Sequence, residues 1–335
     1  MKNIVLFKFK DILKEYPYME DFFISLGIDN IDTGLTINEI VHDMKDELLE
    51  DKGFSREQLI EKFISFIEKM ESLKEAAGSI IESITIIGGQ DKSGNAEDIK
   101  LLLKAGDVVS IVGPTGSGKS RLLGDIECLA QGDTPTKRQI LLNGEVPSTN
   151  ERFDIENKLV AQLTQNMNFV MDLSVEEFIK LHAESRMIDN IEGTVEEIVE
   201  CANNLAGEKF DKGTPLTQLS GGQSRALMIA DTALLSLSPI VLIDEIENAG
   251  IDRRNAIELL VKKEKIVLIS THDPVLALIG DKRIVIKNGG ISKVINASDK
   301  EKKHICVLER VDKKMLKIRN HIRTGGIINE TVVDF

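Results

Sequence analysis

A glycine-rich segment ending in lysine and serine follows an apolar run and precedes a leucine-rich stretch. Glycines let backbone N–H groups converge on phosphate oxygens, the lysine places a point charge at the β and γ phosphates, and the serine hydroxyl suits Mg²⁺. The pattern therefore predicts a phosphate loop that binds a nucleoside triphosphate with Mg²⁺. Its residues are Gly113, Pro114, Thr115, Gly116, Ser117, Gly118, Lys119, Ser120 and Arg121.

Two carboxylates end a second apolar run, Ile240–Ile243. Open α/β sheets bind ligands at the carboxyl ends of their strands, so we expect these two side chains beside the phosphate loop. Asp244 is predicted to hold Mg²⁺, directly or through water, and Glu245 to polarise the attacking water. A strand that ends in two acidic residues is common by itself. The phosphate loop earlier in the chain is what favours a functional role for this pair.

A serine, two glycines and a glutamine begin the helical stretch that leads into this acidic run. A serine cap backed by two glycines forms a second nest of backbone N–H groups, which suits an anion. One protomer holds one nucleotide, so the second nest indicates a second protomer. Its residues are Ser220, Gly221, Gly222 and Gln223.

Short apolar runs alternate with helical stretches around these motifs. Val108–Val112, Ile240–Ile243 and Ile266–Ser270 are the buried strands of this pattern, which predicts a parallel α/β sheet. Two further strands are expected before the phosphate loop, at Ile80–Ile87 and Ile99–Leu103. A final strand pair is expected around the turn at residues 288–290.

The order and spacing of the motifs resemble those of the ATP-binding cassette (ABC) ATPases over about residues 80–295. The resemblance implies a P-loop NTPase fold of the ABC type, with a parallel sheet core and a helical subdomain. It also implies hydrolysis of ATP to ADP and phosphate in a head-to-tail homodimer. In such a dimer, the nest at Ser220 contacts the γ-phosphate of the nucleotide bound by the opposite protomer.

The resemblance implies roles for three more residues. Gln165 matches the glutamine that contacts Mg²⁺ or the attacking water, with Gln162 as a second candidate. His272 matches the switch histidine that reaches the γ-phosphate, and Asp252 matches the aspartate of the loop that crosses the dimer interface. A surface amide and simple polar packing are the alternatives for Gln165 and His272.

The chain departs from the family pattern at three places. Residues 85–104 contain no aromatic side chain to stack on adenine, which leaves the choice between ATP and GTP open, with Ile87 as a candidate to cover the base. Ile246 stands where proline usually follows the acidic pair, and Asp231 stands where arginine is usual. These departures indicate an unusual branch of the family.

The sequence also divides into three domains. Residues 1–77 are predicted to form a small helical interaction domain, 78–296 the ATPase domain, and 297–335 a basic amphipathic helical tail. Residues 1–80 carry a net charge of −7 and residues 300–323 one of +6. The two ends are therefore distinct modules.

Capping boxes mark the starts of helices in the first half of the chain. They are predicted at Thr36/Glu39, Ser55/Gln58 and Ser174/Glu177, and the second begins an amphipathic helix over 55–76. The stretch Leu13–Ile28 loosely resembles a small helical module of anaerobe metalloproteins. The cysteines of that module are absent here, so we infer protein interaction and no metal.

Bulk composition is that of a soluble cytoplasmic protein, with 42% hydrophobic and 29% charged residues and no run of about 18 apolar residues. The three cysteines are scattered singly, which fits a reducing compartment. A net charge of −13 argues against a large sequence-independent nucleic-acid surface. If a membrane is involved, we expect another chain to supply the membrane span.

Two functions remain open from the sequence. The first is a transport ATPase that docks on a separate membrane permease through the segment between Gln165 and Ser220, whose helix Leu173–Arg186 resembles the permease-facing surface. The second is a soluble ATPase that remodels, assembles or activates a protein client, such as a metalloenzyme, through the acidic N-terminal domain. A cassette linked to nucleic acid is the third alternative, and the acidic charge disfavours it.

Overall fold

The computed structural model describes residues 4–16, 19–28, 31–44, 49, 53–78, 81–153, 158–164, 169–186, 188–245 and 251–328. The chain forms two compact units, which comprise residues 1–80 and 81–335. Each unit has its own apolar core.

The N-terminal unit is helical. Its α-helices are α1 (Phe9–Glu15), α2 (Met19–Ser25), α3 (Ile37–Asp43) and α4 (Arg56–Gly78), and a 3₁₀ helix precedes them at Ile4–Leu6. Both capping boxes predicted here are confirmed, because the N–H of Glu39 donates to Thr36 Oγ1 at 3.3 Å and the N–H of Gln58 donates to Ser55 Oγ at 3.2 Å. These bonds satisfy N–H groups that helix starts leave unpaired.

Phenylalanine side chains fill the core of the N-terminal unit. Phe23 packs edge-to-face on Phe9 at 5.3 Å between ring centroids, and Phe22 packs edge-to-face on Phe63 at 5.4 Å. Phe9, Phe23 and Phe63 are each at most 1% exposed. Since edge-to-face aromatic pairs stabilise beyond their buried area, these rings give the small unit a core of its own.

Residues 81–335 contain nine strands and nine α-helices among the described residues. The strands are β1 (Ser83–Ile87), β2 (Lys100–Lys104), β3 (Val108–Val112), β4 (Gln139–Leu142), β5 (Val160–Leu163), β6 (Ile240–Asp244), β7 (Ile266–Ser270), β8 (Lys282–Lys287) and β9 (Gly290–Asn296). The helices are α5 (Lys119–Glu127), α6 (Thr149–Phe153), α7 (Val175–Ser185), α8 (Ile191–Leu205), α9 (Gly221–Leu234), α10 (Arg253–Lys262), α11 (Pro274–Ile279), α12 (Asp299–Lys302) and α13 (Ile305–Arg323).

Six strands form the main sheet in the order β5-β6-β7-β3-β8-β9. All neighbours are parallel except β8 and β9, which are antiparallel. The predicted parallel sheet is thus confirmed. Because β6, β7 and β3 are adjacent and parallel, the segments that follow them emerge at one edge of the sheet.

The first two strands do not join that sheet. With β4 they form a separate antiparallel sheet in the order β2-β1-β4, a pairing that the sequence analysis did not predict. The helical subdomain consists of α7, α8 and α9, in which α8 packs against both of the other helices. Ser174 and Glu177 form the predicted capping box at the start of α7.

The C-terminal helix α13 packs against α11. The helix carries an apolar stripe, of which Val311, Met315 and Ile322 are 44%, 39% and 56% exposed. The stripe therefore faces outward for much of its length. No helix within the described residues is long and apolar enough to cross a membrane.

One lysine is buried at the opposite end of the main sheet from the acidic pair. Lys265, immediately before β7, is 5% exposed, and its ammonium donates to the carbonyl oxygens of Ser236 and Ser238, both at 2.8 Å. Burial, together with the charge of Lys263, lowers the pKa of Lys265 to about 8 from its ordinary value of 10.5.

We expect this shift to appear in the pH dependence of stability. Between pH 8 and 10.5 the unfolded chain binds the Lys265 proton more than the folded chain does, so the free energy of unfolding rises with pH in this window. Lys265→Met lacks this titration. Denaturant unfolding of both proteins should therefore show the stability of the wild type rising relative to that of Lys265→Met from pH 7.5 to pH 10. Lys262→Met, at the exposed surface, is the matched control, and a difference for Lys265→Met that stays level would contradict the argument.

Candidate functional site

The loop after β3 has the backbone conformation that converging N–H groups require. Gly116 and Gly118 have φ values of +76° and +110°, in the left-handed region that favours glycine. A Cβ atom at Gly118 would also lie 2.9 Å from the Cα of Gly289, so a larger residue does not fit. Gly118 caps α5, and the loop therefore delivers Lys119 and Ser120 to the first turn of that helix.

Lys119 carries its ammonium group into the interior of the site. Its residue is 6% exposed, and Nζ donates to the carbonyl oxygens of Gly113 at 3.0 Å and Pro114 at 3.5 Å. The third neighbour is His272 Nε2 at 3.0 Å. Because an ammonium group has no acceptor, Nε2 accepts in this pair and the imidazole proton belongs on Nδ1.

Ser120 and Asp244 bring two oxygen donors together. The Ser120 hydroxyl donates to Asp244 Oδ2 at 3.3 Å, across the gap between α5 and the end of β6. Hydroxyl and carboxylate oxygens are the ligands that Mg²⁺ prefers, and a triphosphate supplies others. The two side chains therefore fit a magnesium ion that is bound together with nucleotide.

Glu245 leaves β6 with an unusual backbone. Its φ is +53°, and its N–H donates to the carbonyl oxygen of Ser270 on the neighbouring strand at 3.0 Å. A non-glycine residue in this region is uncommon and is retained where surrounding contacts enforce it. Glu245 Oε1 lies 3.5 Å from His272 Nε2, so the two side chains meet at the sheet edge.

The phosphate loop is supported from behind by a hairpin turn. The N–H of Gly289, between β8 and β9, donates to the carbonyl oxygen of Ser117 at 2.6 Å, and Lys92 Nζ donates to that of Gly116 at 2.8 Å. Two of the loop's carbonyl groups are thus bonded to donors from outside the loop. The turn was predictable from the sequence, whereas its contact with the phosphate loop was not, because Ser117 and Gly289 are more than 170 positions apart.

A buried arginine links this support to the antiparallel sheet. Arg138, which is 0% exposed, donates from Nε and Nη2 to the Glu97 carboxylate at 2.9 and 2.7 Å. Its Nη1 donates to Asp125 Oδ2 of α5 at 2.9 Å, and Nη2 donates to the carbonyl oxygen of Gly289 at 2.8 Å. No local pattern in the sequence marks Arg138 as part of the site.

The electrostatics of this cluster favour the charged forms of Glu97 and Arg138. Burial opposes ionisation of Glu97, yet hydrogen bonds from Arg138 and from the N–H groups of Gly89 and Ile291 hold the pKa of Glu97 below its ordinary value. Burial likewise opposes the charge on Arg138, and the two carboxylates outweigh that effect and raise its pKa. A charge that loses its partner here would remain buried, which is destabilising.

Comparison with known proteins places this geometry in a family. The profile described as ABC transporter matches residues 96–248. An uncharacterized ABC transporter ATP-binding protein of Methanocaldococcus jannaschii is 55% identical over 246 residues, which cover 73% of this chain and 94% of that protein. The chain belongs to the ABC transporter ATP-binding proteins.

More distant relatives agree. The aliphatic sulfonates import ATP-binding protein SsuB of Bacillus thuringiensis is 32% identical and covers 70% of this chain and 91% of that protein. A solved ATP-binding subunit of an ABC transporter, 20% identical, superposes with a TM-score of 0.51 over 66% of this chain and 92% of that structure, which shows the shared fold. As an ABC ATPase, the chain binds ATP and hydrolyses it to ADP and phosphate.

The remaining predicted residues of this ABC ATPase lie away from Lys119 or outside the described residues. Ser220 caps α9, where it accepts from the N–H of Gln223 at 3.3 Å, and Gln223 Nε2 donates to the carbonyl oxygen of Glu208 at 3.3 Å. Asp252 caps α10 and accepts from the N–H of Asn255 at 3.1 Å. Ser220, Gly221 and Asp252 are exposed, and Gly222 is half-buried.

Two predicted positions, Gln165 and Ile246, lie outside the described residues. Asp231, where relatives usually have arginine, is 8% exposed and lies with Oδ1 2.7 Å from Nδ1 of His182 on α7. This departure therefore forms a contact between two helices of the helical subdomain. Ile87, expected to cover the base, ends β1 and is half-buried.

Replacing Glu245 by Gln should separate hydrolysis from binding. The amide cannot act as a base, whereas Lys119 and Ser120 are untouched, so we expect kcat to fall by about 10²-fold or more with little change in the Kd for ATP. Phosphate release and titration calorimetry with ATP and Mg²⁺ measure the two quantities. Lys119→Ala is the contrasting variant and should lose affinity. Normal turnover of Glu245→Gln would remove Glu245 from the mechanism.

Proposed function

We propose that the chain acts as a head-to-tail homodimer that couples ATP binding and hydrolysis to transport through a separate membrane permease. The observation that carries the dimer is the exposed N-terminus of α9, where the backbone N–H groups of Gly221 and Gly222 follow the Ser220 cap. A helix start of this kind attracts anions, and a second protomer can bring a γ-phosphate to it. Asp252, at the start of α10, then lies on the same interface.

Within one composite site, each described side chain has one role. Lys119 holds the β and γ phosphates. Ser120 and Asp244 would hold Mg²⁺, which would neutralise phosphate charge. Glu245 accepts a hydrogen bond from the attacking water and draws its proton away. His272, beside both Lys119 and Glu245, donates a hydrogen bond to an oxygen of the γ-phosphate. Gln165 is proposed as the residue that contacts Mg²⁺ or the attacking water.

The contacts of His272 suggest how ATP binding prepares the site for hydrolysis. Its Nε2 accepts from Lys119 Nζ at 3.0 Å and lies 3.5 Å from Glu245. A γ-phosphate oxygen competes for the same ammonium proton, so nucleotide binding releases His272 from Lys119. The imidazole can then turn toward the phosphate, where it donates either from Nδ1 after a ring flip or from Nε2 after its single proton exchanges through water.

The names of the relatives support a permease partner. Several are ATP-binding proteins of ABC transporters, and SsuB is named for aliphatic sulfonate import. Helix α7 offers a surface for such a partner, because Leu181 on it is 51% exposed. The chain would then sit peripherally at the inner face of a membrane.

The N-terminal unit favours a second candidate, a soluble ATPase that remodels, assembles or activates a protein client. This unit has its own core and carries exposed apolar side chains, with Leu6, Phe7 and Ile24 exposed by 63%, 58% and 54%. Exposed apolar side chains of this size suit a protein partner.

The head-to-tail arrangement predicts complementation between two inactive variants. Ser220→Arg fills the nest that serves the partner's nucleotide, and Lys119→Ala disables the phosphate loop of its own protomer. A mixed dimer combines both defects in one composite site and leaves the other intact, so ATPase activity should partly return. Lys119→Ala mixed with Glu245→Gln is the control, since both defects are on the phosphate-loop side and each site keeps one. Absence of recovery in demonstrated mixed dimers would argue against the trans role of Ser220.

The permease proposal predicts what purifies with the protein. Tagged Glu245→Gln protein, extracted from native membranes with detergent and ATP, should retain a polytopic membrane protein. Leu181→Asp should abolish that retention and leave the ATPase activity of the isolated protein unchanged. Leu237→Asp, at a residue that is 60% exposed beyond α9, is the matched control. A soluble enzyme that is retained only when residues 1–80 are present would favour the second candidate.

A further inference from the structure

One arginine joins the C-terminal helix to the two loops that carry Asp252 and His272. Arg253 follows Asp252 directly and is the first residue of α10. Its Nη1 donates to Asp273 Oδ2, and its Nη2 donates to Asp312 Oδ2 on α13. A planar guanidinium group can hold two carboxylates in fixed directions at once, which a lysine cannot.

Asp273 is the residue after His272, and its side chain fixes the local backbone. Its Oδ1 accepts from the N–H groups of Val275 at 2.7 Å and Leu276 at 3.0 Å, which begins α11. Its own N–H donates to Thr271 Oγ1 at 2.9 Å. With Oδ2 held by Arg253, both oxygens of the carboxylate are committed, and the peptide groups on either side of His272 are constrained.

The outer end of this chain of contacts belongs to the C-terminal helix. Asp312 lies on the side of α13 that faces Arg253 of α10. The Asp312 side chain is 43% exposed and that of Arg253 is 23% exposed. Glu309, one turn earlier on α13, pairs instead with Arg254, at 3.4 Å. Neighbouring acids on one helix thus bind neighbouring arginines, but of these two pairs only that of Asp312 continues to Asp273.

We propose that Asp312 is a positioning residue for hydrolysis. It orients Arg253, Arg253 fixes Asp273, and Asp273 sets where His272 stands between Lys119 and the γ-phosphate. The C-terminal helix is thereby part of the hydrolytic apparatus, and displacement of α13 slows turnover without weakening nucleotide binding. This inference rests on the role of His272 in the proposed function.

The test compares Asp312→Ala with Glu309→Ala in the full-length protein. We expect Asp312→Ala to lower kcat by about two- to thirtyfold, the range for residues that act through others, with the KM for ATP unchanged within about twofold. Asp312→Glu should restore most of the rate, and Glu309→Ala should behave as wild type. Thermal unfolding of each variant shows that the fold is kept. An Asp312→Ala protein as fast as Glu309→Ala overturns the proposal.

Two further variants identify the route. Arg253→Gln should be slow by itself, and adding Asp312→Ala to it should cause no further loss, because the contact is already broken. An equal further loss in that background overturns the route through Arg253. His272→Ala separates this inference from the function beneath it. Normal ATP hydrolysis by His272→Ala would contradict both the role of His272 and the positioning role of Asp312. Slow hydrolysis by His272→Ala with normal hydrolysis by Asp312→Ala would contradict only the role of Asp312.

Discussion

The ammonium group of Lys119 is the charge around which the site is arranged. Lys119 is only 6% exposed, so its ammonium group has lost most of its contact with water. Its neighbours are two main-chain carbonyl oxygens and one imidazole nitrogen. A buried charge needs such partners, and each comes from a segment that a strand of the main sheet positions. The loop after β3 provides Gly113 and Pro114, and the segment after β7 provides His272. The adjacency of β3 and β7 is therefore what lets one side chain meet both.

Local features of the chain were predictable because their causes are local. The glycines before Lys119, the apolar run before Asp244 and the caps at Thr36 and Ser174 depend on residues a few positions apart. Other features depend on contacts between distant segments. The separation of β1 and β2 from the main sheet requires pairing with β4, and the support of Ser117 by Gly289 requires β8 to lie beside β3. No periodicity in the sequence reveals either arrangement.

The backbone of Glu245 shows the same limit at one residue. A glutamate gives no sign of a left-handed backbone, which in sequence is the mark of glycine or asparagine. The conformation comes from the neighbouring strand, whose Ser270 carbonyl receives the Glu245 N–H at 3.0 Å. The type of residue could thus be read from the sequence, and the direction of its carboxylate could not.

The triad of Glu97, Arg138 and Asp125 also restricts how this protein can change over time. Replacing Arg138 by an apolar residue leaves two buried carboxylates without a counterion, and replacing either carboxylate leaves Arg138 with only one of its two charged partners. A single substitution at one of these positions therefore destabilises the fold, whereas simultaneous replacement of all three by apolar residues of similar total volume need not. In neutral drift, the three positions behave as one inherited unit. Once Arg138 is present beneath the phosphate loop, loss of it alone is disfavoured because Glu97 and Asp125 would remain as unpaired buried charges.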